Sequence, residues 1–345
     1  MIKSQFIKSN KVNLDSMTNR FVLKMCRRKS YCQIMVTVMA MFTVMQFVYP
    51  RCATLMNIKT LQLKNADYPC TSITQIIATS TIPTNQENGT MKLPHTIKTV
   101  VIDIGARQSK YLNILEKSED PTVALILFDP LPASGIPLQK RVAEYNMRGQ
   151  AQNWLDQTKS GQAFMVRAAM GEIEGVADFN IGTGPACSSI LKTSSENKFW
   201  CANAKETIKV PIMTLKNFLA LIPESIEQIH IKVDTEGADL AVLRGAGDSI
   251  HKVNTFVIEC NSDDEKVKFR DGECVQSDAS SYMEEKEFHT LDVESQGHLV
   301  NMFFVNSKYK GPLPKFLAKD PNQEYSSFYK KLNHDFSAHG KYHEV

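Results

Sequence analysis

The feature that most constrains the fold is a series of apolar, strand-like segments separated by helix-like ones between residues 96 and 308. Each strand-like segment is apolar over most of its length, which is typical of a strand buried on both faces of a sheet. Five segments have this character: "TVVIDIG" (99–105), "TVALILFDP" (122–130), "AFMVRAAMG" (163–171), "QIHIKVD" (228–234) and "NTFVIEC" (254–260). Their alternation with helices predicts an α/β domain built on a doubly wound, mostly parallel sheet.

The remaining segments complete this pattern. "VADFNIG" (176–182) is predicted to form a hairpin with the third apolar run, and "HTLDV" and "NMFFVN" are predicted to be the final strands. Helical spacing of apolar residues predicts four helices: "SKYLNILEK", "TLKNFLALI" (214–222), "DLAVLRGAGDSI" (239–250) and "SYMEEKEF".

Three of the core strands end on an acidic residue: Asp103, Asp129 and Asp234. In open α/β sheets the ligand binds at the carboxyl ends of the strands, near the point where the strand order reverses. Aspartate is also a common turn and cap residue, so one such position alone distinguishes little. Three acids at one edge of one sheet favour a ligand site.

The turn after the first strand restricts the class of ligand. It reads "DIGARQSK" and contains a single glycine, Gly105, whereas a dinucleotide site requires several glycines for the pyrophosphate. Asp129 ends the second strand, where doubly wound folds bind ribose hydroxyls, because a carboxylate accepts two hydrogen bonds from a diol. These observations favour a nucleoside ligand without phosphates, and S-adenosylmethionine is the usual one.

Residues from about 100 to 306 resemble the FkbM-type methyltransferases, a family of class I S-adenosylmethionine-dependent enzymes. The resemblance is carried by "VVIDIGA", "LFDP", "CSSIL" (187–191), and "IKVDTEGADLAVLRGA" followed by "VIEC". The family's first turn usually reads D-x-G-A-N-x-G, and this chain has Arg107 and Ser109 at the last two fixed positions. The resemblance implies donor binding by Asp103, Gly105 and Asp129. Arg107 departs from the family's pattern, but its guanidinium is suited to pair with a carboxylate such as that of methionine.

The resemblance also implies where the acceptor binds. Asp234 and Glu236 match acids that lie beside the transferred methyl group, where one carboxylate would be the general base for a substrate hydroxyl, or both would bind a divalent metal. The alternative is that Asp234 caps the turn and Asp239 lies in the first turn of the helix, where the helix dipole favours an acid; we favour this interpretation for Asp239. Three further candidates for the substrate cleft are Ser188, Ser189 and Glu259. The alternatives are that the serines belong to a polar loop held by a Cys187–Cys201 disulfide and that Glu259 pairs with Lys232.

The N-terminus indicates a membrane anchor. The first 30 residues hold eight basic groups and one acid, a formal charge of +7, which leaves −4 for the rest of the chain. Residues 31–49 carry no charge and, as a helix, would span about 28 Å of bilayer. The pattern predicts a type II signal anchor with the rest of the chain lumenal, in the Golgi or endoplasmic reticulum, and a cleaved signal peptide is the alternative. The slightly acidic body gives no electrostatic footprint for nucleic acid.

Six cysteines follow the predicted anchor, and an even number in an oxidising compartment permits disulfides. Neighbours along the chain would pair as Cys52–Cys70, Cys187–Cys201 and Cys260–Cys274. Asn88 begins a glycosylation sequon. No C-x-x-C motif occurs, and no metal site is predicted.

Five regions follow from these observations. We predict a basic cytoplasmic tail (1–30), a transmembrane anchor (31–49), a stem (50–95), a methyltransferase-like domain (96–308) and a C-terminal tail (309–345). The predicted activity is O-methylation of a hydroxyl on a glycan or a similar small acceptor. The alternative is a non-catalytic binding protein that kept the fold and lost the donor site, because the first turn departs from the family's pattern.

Overall fold

The structure is a computed structural model that describes residues 80, 82–85, 89–118, 120–152, 162–183, 187–194, 204–264 and 269–311. The predicted anchor, the predicted C-terminal tail beyond residue 311 and Asn88 lie outside these ranges. Among the residues within them, no helix is long and apolar enough to cross a membrane. Ile82 and Met91, which belong to the predicted stem, are buried in the core of the domain.

The domain consists of ten strands, five α-helices and a 3₁₀ helix within the described ranges. The strands are β1 (Thr99–Ile104), β2 (Val123–Phe128), β3 (Gln162–Val166), β4 (Ala169–Gly171), β5 (Gly175–Ile181), β6 (Glu206–Thr214), β7 (Gln228–Val233), β8 (Thr255–Asn261), β9 (Phe288–Gln296) and β10 (Leu299–Asn306). The helices are α1 (Lys110–Ser118), α2 (Pro132–Gln152), α3 (Leu215–Leu219), α4 (Asp239–Arg244), the 3₁₀ helix (Gly247–Lys252) and α5 (Gln276–Glu285).

Seven strands form the central sheet in the order β3-β2-β1-β7-β8-β10-β9. The five strands from β3 to β8 are parallel to one another, and β10 is antiparallel to both β8 and β9. The predicted mostly parallel α/β sheet is therefore confirmed. The strand order reverses between β1 and β7, so the carboxyl ends of these two strands form the switch point at which such sheets bind ligands.

The sheet is buried on both faces, as its continuous apolar strands predict. All six residues of β1 and all six of β2 are buried. Alternate residues of β1 enter different clusters, with Val100 and Ile102 packed in the larger core and Val101 in the smaller one. Because side chains alternate across a strand, these two cores cover opposite faces of the sheet.

A second, three-stranded sheet corrects two predictions. The third apolar run is not one strand, because it divides after Val166 into β3 of the central sheet and β4 of a small sheet ordered β4-β6-β5. The predicted hairpin with "VADFNIG" is also wrong, since β5 pairs with β6. We did not predict β6, whose sequence "ETIKVPIMT" contains Pro211 and charged residues and lacks the signature of a buried strand.

The helices differ from prediction at two places. Helix α2 was not predicted, because Pro132, Gly135 and Pro137 near its start are typical of a loop. The predicted helix 239–250 is instead α4 followed by a 3₁₀ helix. A Cβ atom at Gly245, between the two, would lie 2.2 Å from the carbonyl oxygen of Gly171, so glycine here lets α4 approach β4 closely.

Candidate active site at the switch point of the sheet

A cleft of about 400 Å³ lies at the carboxyl edge of the central sheet. Its walls come from the β1–α1 turn, the segment after β2, the segment after β7, and strands β8 and β10. Eight of the nine residues predicted from the sequence to form the site line this cleft: Asp103, Gly105, Arg107, Asp129, Ser188, Asp234, Glu236 and Glu259.

Gly105 lets the first turn pass directly against the end of β7. Its φ angle is +83°, and an added Cβ atom would lie 1.8 Å from the backbone oxygen of Asp234. The backbone N–H of Asp234 in turn donates to the carbonyl oxygen of Ile104 over 3.0 Å. No residue with a side chain fits here, so glycine brings the predicted donor-binding turn and the predicted acceptor-side acid together.

Ser109 completes the same turn by capping helix α1. Its hydroxyl donates to Asp103 Oδ2 over 2.8 Å and accepts the backbone N–H of Leu112 over 3.2 Å. Arg107 and Ser109 have left-handed backbone conformations, with φ of +46° and +39°. Such conformations are uncommon for residues with side chains and often occur at functional sites. Arg107 is exposed and lines the cleft.

Asp103 and Asp234 are joined by a lysine that lies between them. Lys232 is the register partner of Asp103 on β7, and its ammonium lies 2.8 Å from Asp234 Oδ2 and 3.7 Å from Asp103 Oδ1. Asp103 is almost completely buried, and its Oδ1 has no hydrogen-bond partner in the described part of the chain. Burial raises the pKa of Asp103, although Lys232 and Ser109 act in the opposite direction.

Most of the hydrogen-bond acceptor positions of the Asp129 carboxylate are filled by groups of its own chain. Its Oδ1 accepts the backbone N–H of Leu131 over 2.8 Å, and its Oδ2 accepts the hydroxyl of Ser134 over 2.6 Å. The backbone N–H of Arg107 is a third donor to the same carboxylate. A carboxylate offers about four acceptor positions, so roughly one remains for a ribose hydroxyl. Burial raises the pKa of Asp129 against these hydrogen bonds.

The turn after β7 presents Glu236 to the cleft and is held by Asp239. Glu236 is left-handed, with φ of +57°, and Gly237 follows with φ of +103°. The fully buried carboxylate of Asp239 accepts the backbone N–H groups of Thr235 over 3.0 Å and Gly237 over 3.1 Å. Asp239, the first residue of α4, therefore holds this turn by its side chain; its sequence position led us to expect only a first-turn residue favoured by the helix dipole.

The pKa values of three carboxyl groups near this turn are raised. Burial, together with the charge of Asp234, raises the pKa of Glu236 to about 8 and that of Asp239 to about 7. Burial and the charges of Asp234 and Asp239 raise the pKa of Glu259 to about 9. Groups with pKa values near neutrality in a cleft are candidates for acid–base chemistry.

Arg270 is a basic residue beside this turn that the sequence did not identify as part of the site. It is 5% exposed, its charge acts to lower the pKa of Glu236, and its Cδ atom would contact a Cβ added at Gly237. Its backbone N–H donates to Glu273 over 2.9 Å. No local signal in "KFRDGEC" marks this residue, because its contacts with Gly237 and Glu236 are made by tertiary folding.

The two serines have different positions. Ser188 lines the cleft, and its hydroxyl accepts the backbone N–H of Gly182 over 3.3 Å. Ser189, expected to line the cleft as well, is instead fully buried behind it, where its hydroxyl donates to the carbonyl oxygen of Thr235 over 3.3 Å. Ser189 therefore supports the turn that carries Glu236.

Two further residues of the cleft, Lys232 and Asn301, are each marked by a local signal in the sequence. Lys232 is a charged residue inside the otherwise apolar "QIHIKVD", and Asn301 begins the apolar "NMFFVN". A single polar residue in a strand buried on both faces needs a polar partner or a ligand. Both residues line the cleft.

A disulfide fixes the segment that carries Arg270. Cys260, in β8, is bonded to Cys274, and the backbone N–H of Cys274 donates to Gly237 over 2.8 Å. Cys187 is also disulfide-bonded, and Cys201, the partner expected from the sequence, lies outside the described residues. No cluster of three or more histidine, cysteine or acidic side chains arranged for a metal ion occurs in the described part of the chain.

A comparison with models of protein families identifies the family of the chain. A family model described as "Methyltransferase FkbM domain" matches residues 103–289, more than half of the chain. No curated protein matches the sequence. The structure of methyltransferase FkbM from Methylobacillus flagellatus KT is similar, with 14% identity and a TM-score of 0.37, over 64% of this chain and 46% of that chain, so the similarity spans less than half of its length.

A second solved structure is that of a 30S ribosomal A1408 methyltransferase from an uncultured bacterium. It shares 12% identity and a TM-score of 0.29, over 65% of this chain and 98% of that chain.

Proposed function

Because the chain belongs to the FkbM methyltransferase family, we propose that it is an S-adenosylmethionine-dependent O-methyltransferase. In this proposal the donor lies over β1 and β2, and the acceptor lies over β7 and β8. The observation that carries the proposal is the position of Glu236. Its carboxyl group, with a pKa of about 8, lines the same cleft as the Gly105 turn, at the switch point of the sheet.

The residues of the first turn fit the proposed donor. When bound, S-adenosylmethionine would supply a methyl group activated by the positive charge of its sulfonium. Asp103 Oδ1, buried and without a hydrogen-bond partner among the described residues, is suited to the ammonium of a methionine moiety. Arg107 is exposed at the cleft and is suited to its carboxylate. Asp129 would accept one hydrogen bond from the ribose.

On the acceptor side, Glu236 is the better candidate for the general base. A base works best when its pKa is near the operating pH, and the pKa of about 8 meets this condition. Asp234 is instead held 2.8 Å from the ammonium of Lys232, so its carboxylate is already engaged in an ion pair. We assign to Glu236 the removal of the proton from the acceptor hydroxyl, and to Asp234 the orientation of that hydroxyl.

We further propose a lumenal location and a glycan acceptor. The uncharged segment 31–49 behind a +7 tail supports a single-pass type II protein of the Golgi or endoplasmic reticulum. The Cys260–Cys274 disulfide and the sequon at Asn88 are consistent with that compartment. Carbonate extraction and protease protection of microsomes test the topology. Release of the chain by carbonate, or a protease-sensitive domain in sealed vesicles, would contradict it.

The rival function is a non-catalytic binding protein, which the departures at Arg107 and Ser109 favour. To separate the two, the purified full-length protein is titrated calorimetrically with S-adenosylmethionine. It is then incubated with methyl-tritiated donor and glycans from secretory membranes. The methyltransferase proposal predicts donor binding and base-stable tritium on the glycans. Absence of donor binding would support the rival, and donor binding without label on glycans would reject the acceptor class alone.

A further inference from the structure

We propose that the acceptor carries a positively charged amino group close to the hydroxyl that is methylated, and that Glu259 and Asn301 bind this group. The inference rests on the proposed function for the placement of the acceptor. The ammonium subsite itself can be measured without donor or methyl transfer, so the two claims can fail separately.

Glu259 and Asn301 form a polar pair on the wall of the cleft. They are direct register partners on the antiparallel strands β8 and β10, so their side chains lie on the same face, with Cβ atoms about 5 Å apart. Both line the cleft. The pair lies on the far side of β7 from β1 and β2, which are assigned to the donor.

This pair has no protein partner in the described part of the chain. Asn301 is 6% exposed, and neither its amide nor the carboxyl group of Glu259 forms a hydrogen bond or an ion pair there. Lys232 acts on Glu259 through its charge, but its ammonium lies 2.8 Å from Asp234 instead. Buried polar side chains are normally hydrogen-bonded, so a polar pair left open beside a cleft indicates a ligand that supplies the missing partner.

The charge of the cleft selects a cationic partner. Five acidic residues line it against three basic ones, namely Asp103, Asp129, Asp234, Glu236 and Glu259 against Arg107, Lys110 and Lys232. The donor has a sulfonium, an ammonium and a carboxylate, and so it offsets one unit of the difference. This count takes every group as ionised, and Glu236 and Glu259, with pKa values of about 8 and 9, carry their charge above those pH values or when a cation binds beside them. The charges of Asp234 and Asp239 contribute, after burial, to the raised pKa of Glu259. An ammonium beside Glu259 would offset the negative charge of its carboxylate and donate a hydrogen bond to the amide oxygen of Asn301.

A pair of isosteric probes tests the subsite. Ethanolamine has a hydroxyl two carbons from an ammonium, and propan-1-ol replaces that ammonium with a methyl group of similar size. Binding of each to the full-length protein is measured by ligand-observed NMR at pH 9, close to the pKa of Glu259 and below that of the ethanolamine ammonium, with and without S-adenosylmethionine. We expect ethanolamine to bind at least about 10-fold more tightly than propan-1-ol, since a charge-assisted contact distinguishes them.

Two variants test whether Glu259 and Asn301 cause the preference for ethanolamine over propan-1-ol. Glu259→Gln should bring the ratio of the two affinities close to one, and Asn301→Leu should lower it by about threefold or more. Glu284→Gln removes the same charge from an exposed position on α5 and should leave the ratio unchanged. Thermal unfolding of each variant checks that the domain remains folded.

Two results would overturn the inference: equal binding of both probes by the wild-type protein, or a preference for ethanolamine that survives in Glu259→Gln. If Asn301→Leu does not fold, the Glu259→Gln result still decides. Selective ethanolamine binding by a protein that does not bind S-adenosylmethionine would retain the subsite and reject the proposed function. Donor binding without ethanolamine preference would do the reverse.

Discussion

The carboxyl groups on the two sides of the cleft differ in their hydrogen bonds. The side that follows strands β1 and β2 is called the β1–β2 wall, and the side that follows β7 and includes β8 is called the β7–β8 wall. On the β1–β2 wall, Asp103 accepts a hydrogen bond from Ser109, and Asp129 accepts three from its surroundings. On the β7–β8 wall, Glu236 and Glu259 accept no hydrogen bond in the described part of the chain. Each carboxylate of the first wall accepts at least one hydrogen bond from its own chain, and Asp103 Oδ1 stays open for the donor. Those that are left open on the second wall are available for proton transfer and for a substrate.

The largest effect is expected from a substitution at Gly105, where the two walls are in contact. Gly105→Ala should lower the free energy of unfolding by at least about 3 kcal/mol, because it combines a left-handed conformation with overlap on the backbone of Asp234. Gly297→Ala is the matched control, since Gly297 has a φ of +75° and open space around it. Its cost should be about 1–2 kcal/mol. Denaturant unfolding compares the two, and equal costs would show that the contact with Asp234 is unimportant.

The second prediction separates catalysis from donor binding. Glu236→Gln should slow methyl transfer by about 100-fold or more while leaving the affinity for S-adenosylmethionine nearly intact. Asp234→Asn should slow transfer as well, and it should also lower stability because it removes the ion-pair partner of Lys232. Turnover per folded molecule is the deciding quantity. If it is unchanged in Glu236→Gln and only the thermal stability falls, Glu236 is a turn residue.

The third prediction concerns the pH dependence set by Arg270. The free enzyme's kcat/KM should rise with pH up to about 8, as Glu236 loses its proton. Arg270 acts to lower that pKa, so Arg270→Gln should move the rising limb to higher pH and reduce kcat/KM at pH 7 by about 3–10-fold. Arg270→Lys, which keeps the charge, should restore most of the profile. A purely structural role for Arg270 would change kcat/KM equally at every pH.

A smaller effect is expected on stability. A carboxyl group whose pKa is raised on folding stabilises the fold below its unfolded pKa and loses this contribution as pH rises through its folded pKa. For Asp239, Glu236 and Glu259, with folded pKa values of about 7, 8 and 9, the melting temperature should therefore fall between about pH 4 and 9. Glu259→Gln should make this decline less steep. Each kcal/mol of pH-dependent stability that Glu259 contributes corresponds to about 2–4 °C in the melting temperature. An unchanged slope would place Glu259 in a more solvated setting.

Features that depend on residues close together in the sequence can be predicted from it, whereas features that depend on distant segments cannot. Continuous apolar runs identify β1, β2, β7 and β8, and the acids at their ends identify the cleft, because strand burial and strand ends are local properties. Arg270 and the role of Ser189 depend on segments that meet only in the folded domain, and so no local pattern reveals them. Strand β6, with Pro211, and helix α2, with Pro137, are stabilised by tertiary packing that overrides the local preference.

The central claim is that the β1–β2 wall binds the donor and the β7–β8 wall does not. Calorimetric titration of S-adenosylmethionine into the full-length protein and two isosteric variants, Asp103→Asn and Glu259→Gln, tests it most directly. We predict that Asp103→Asn weakens donor binding by about 10–30-fold, which corresponds to the loss of one charge-assisted hydrogen bond of about 1.4–2 kcal/mol. Glu259→Gln should change it by less than about threefold. Equal losses in the two variants, or no binding by the wild-type protein, would contradict the account.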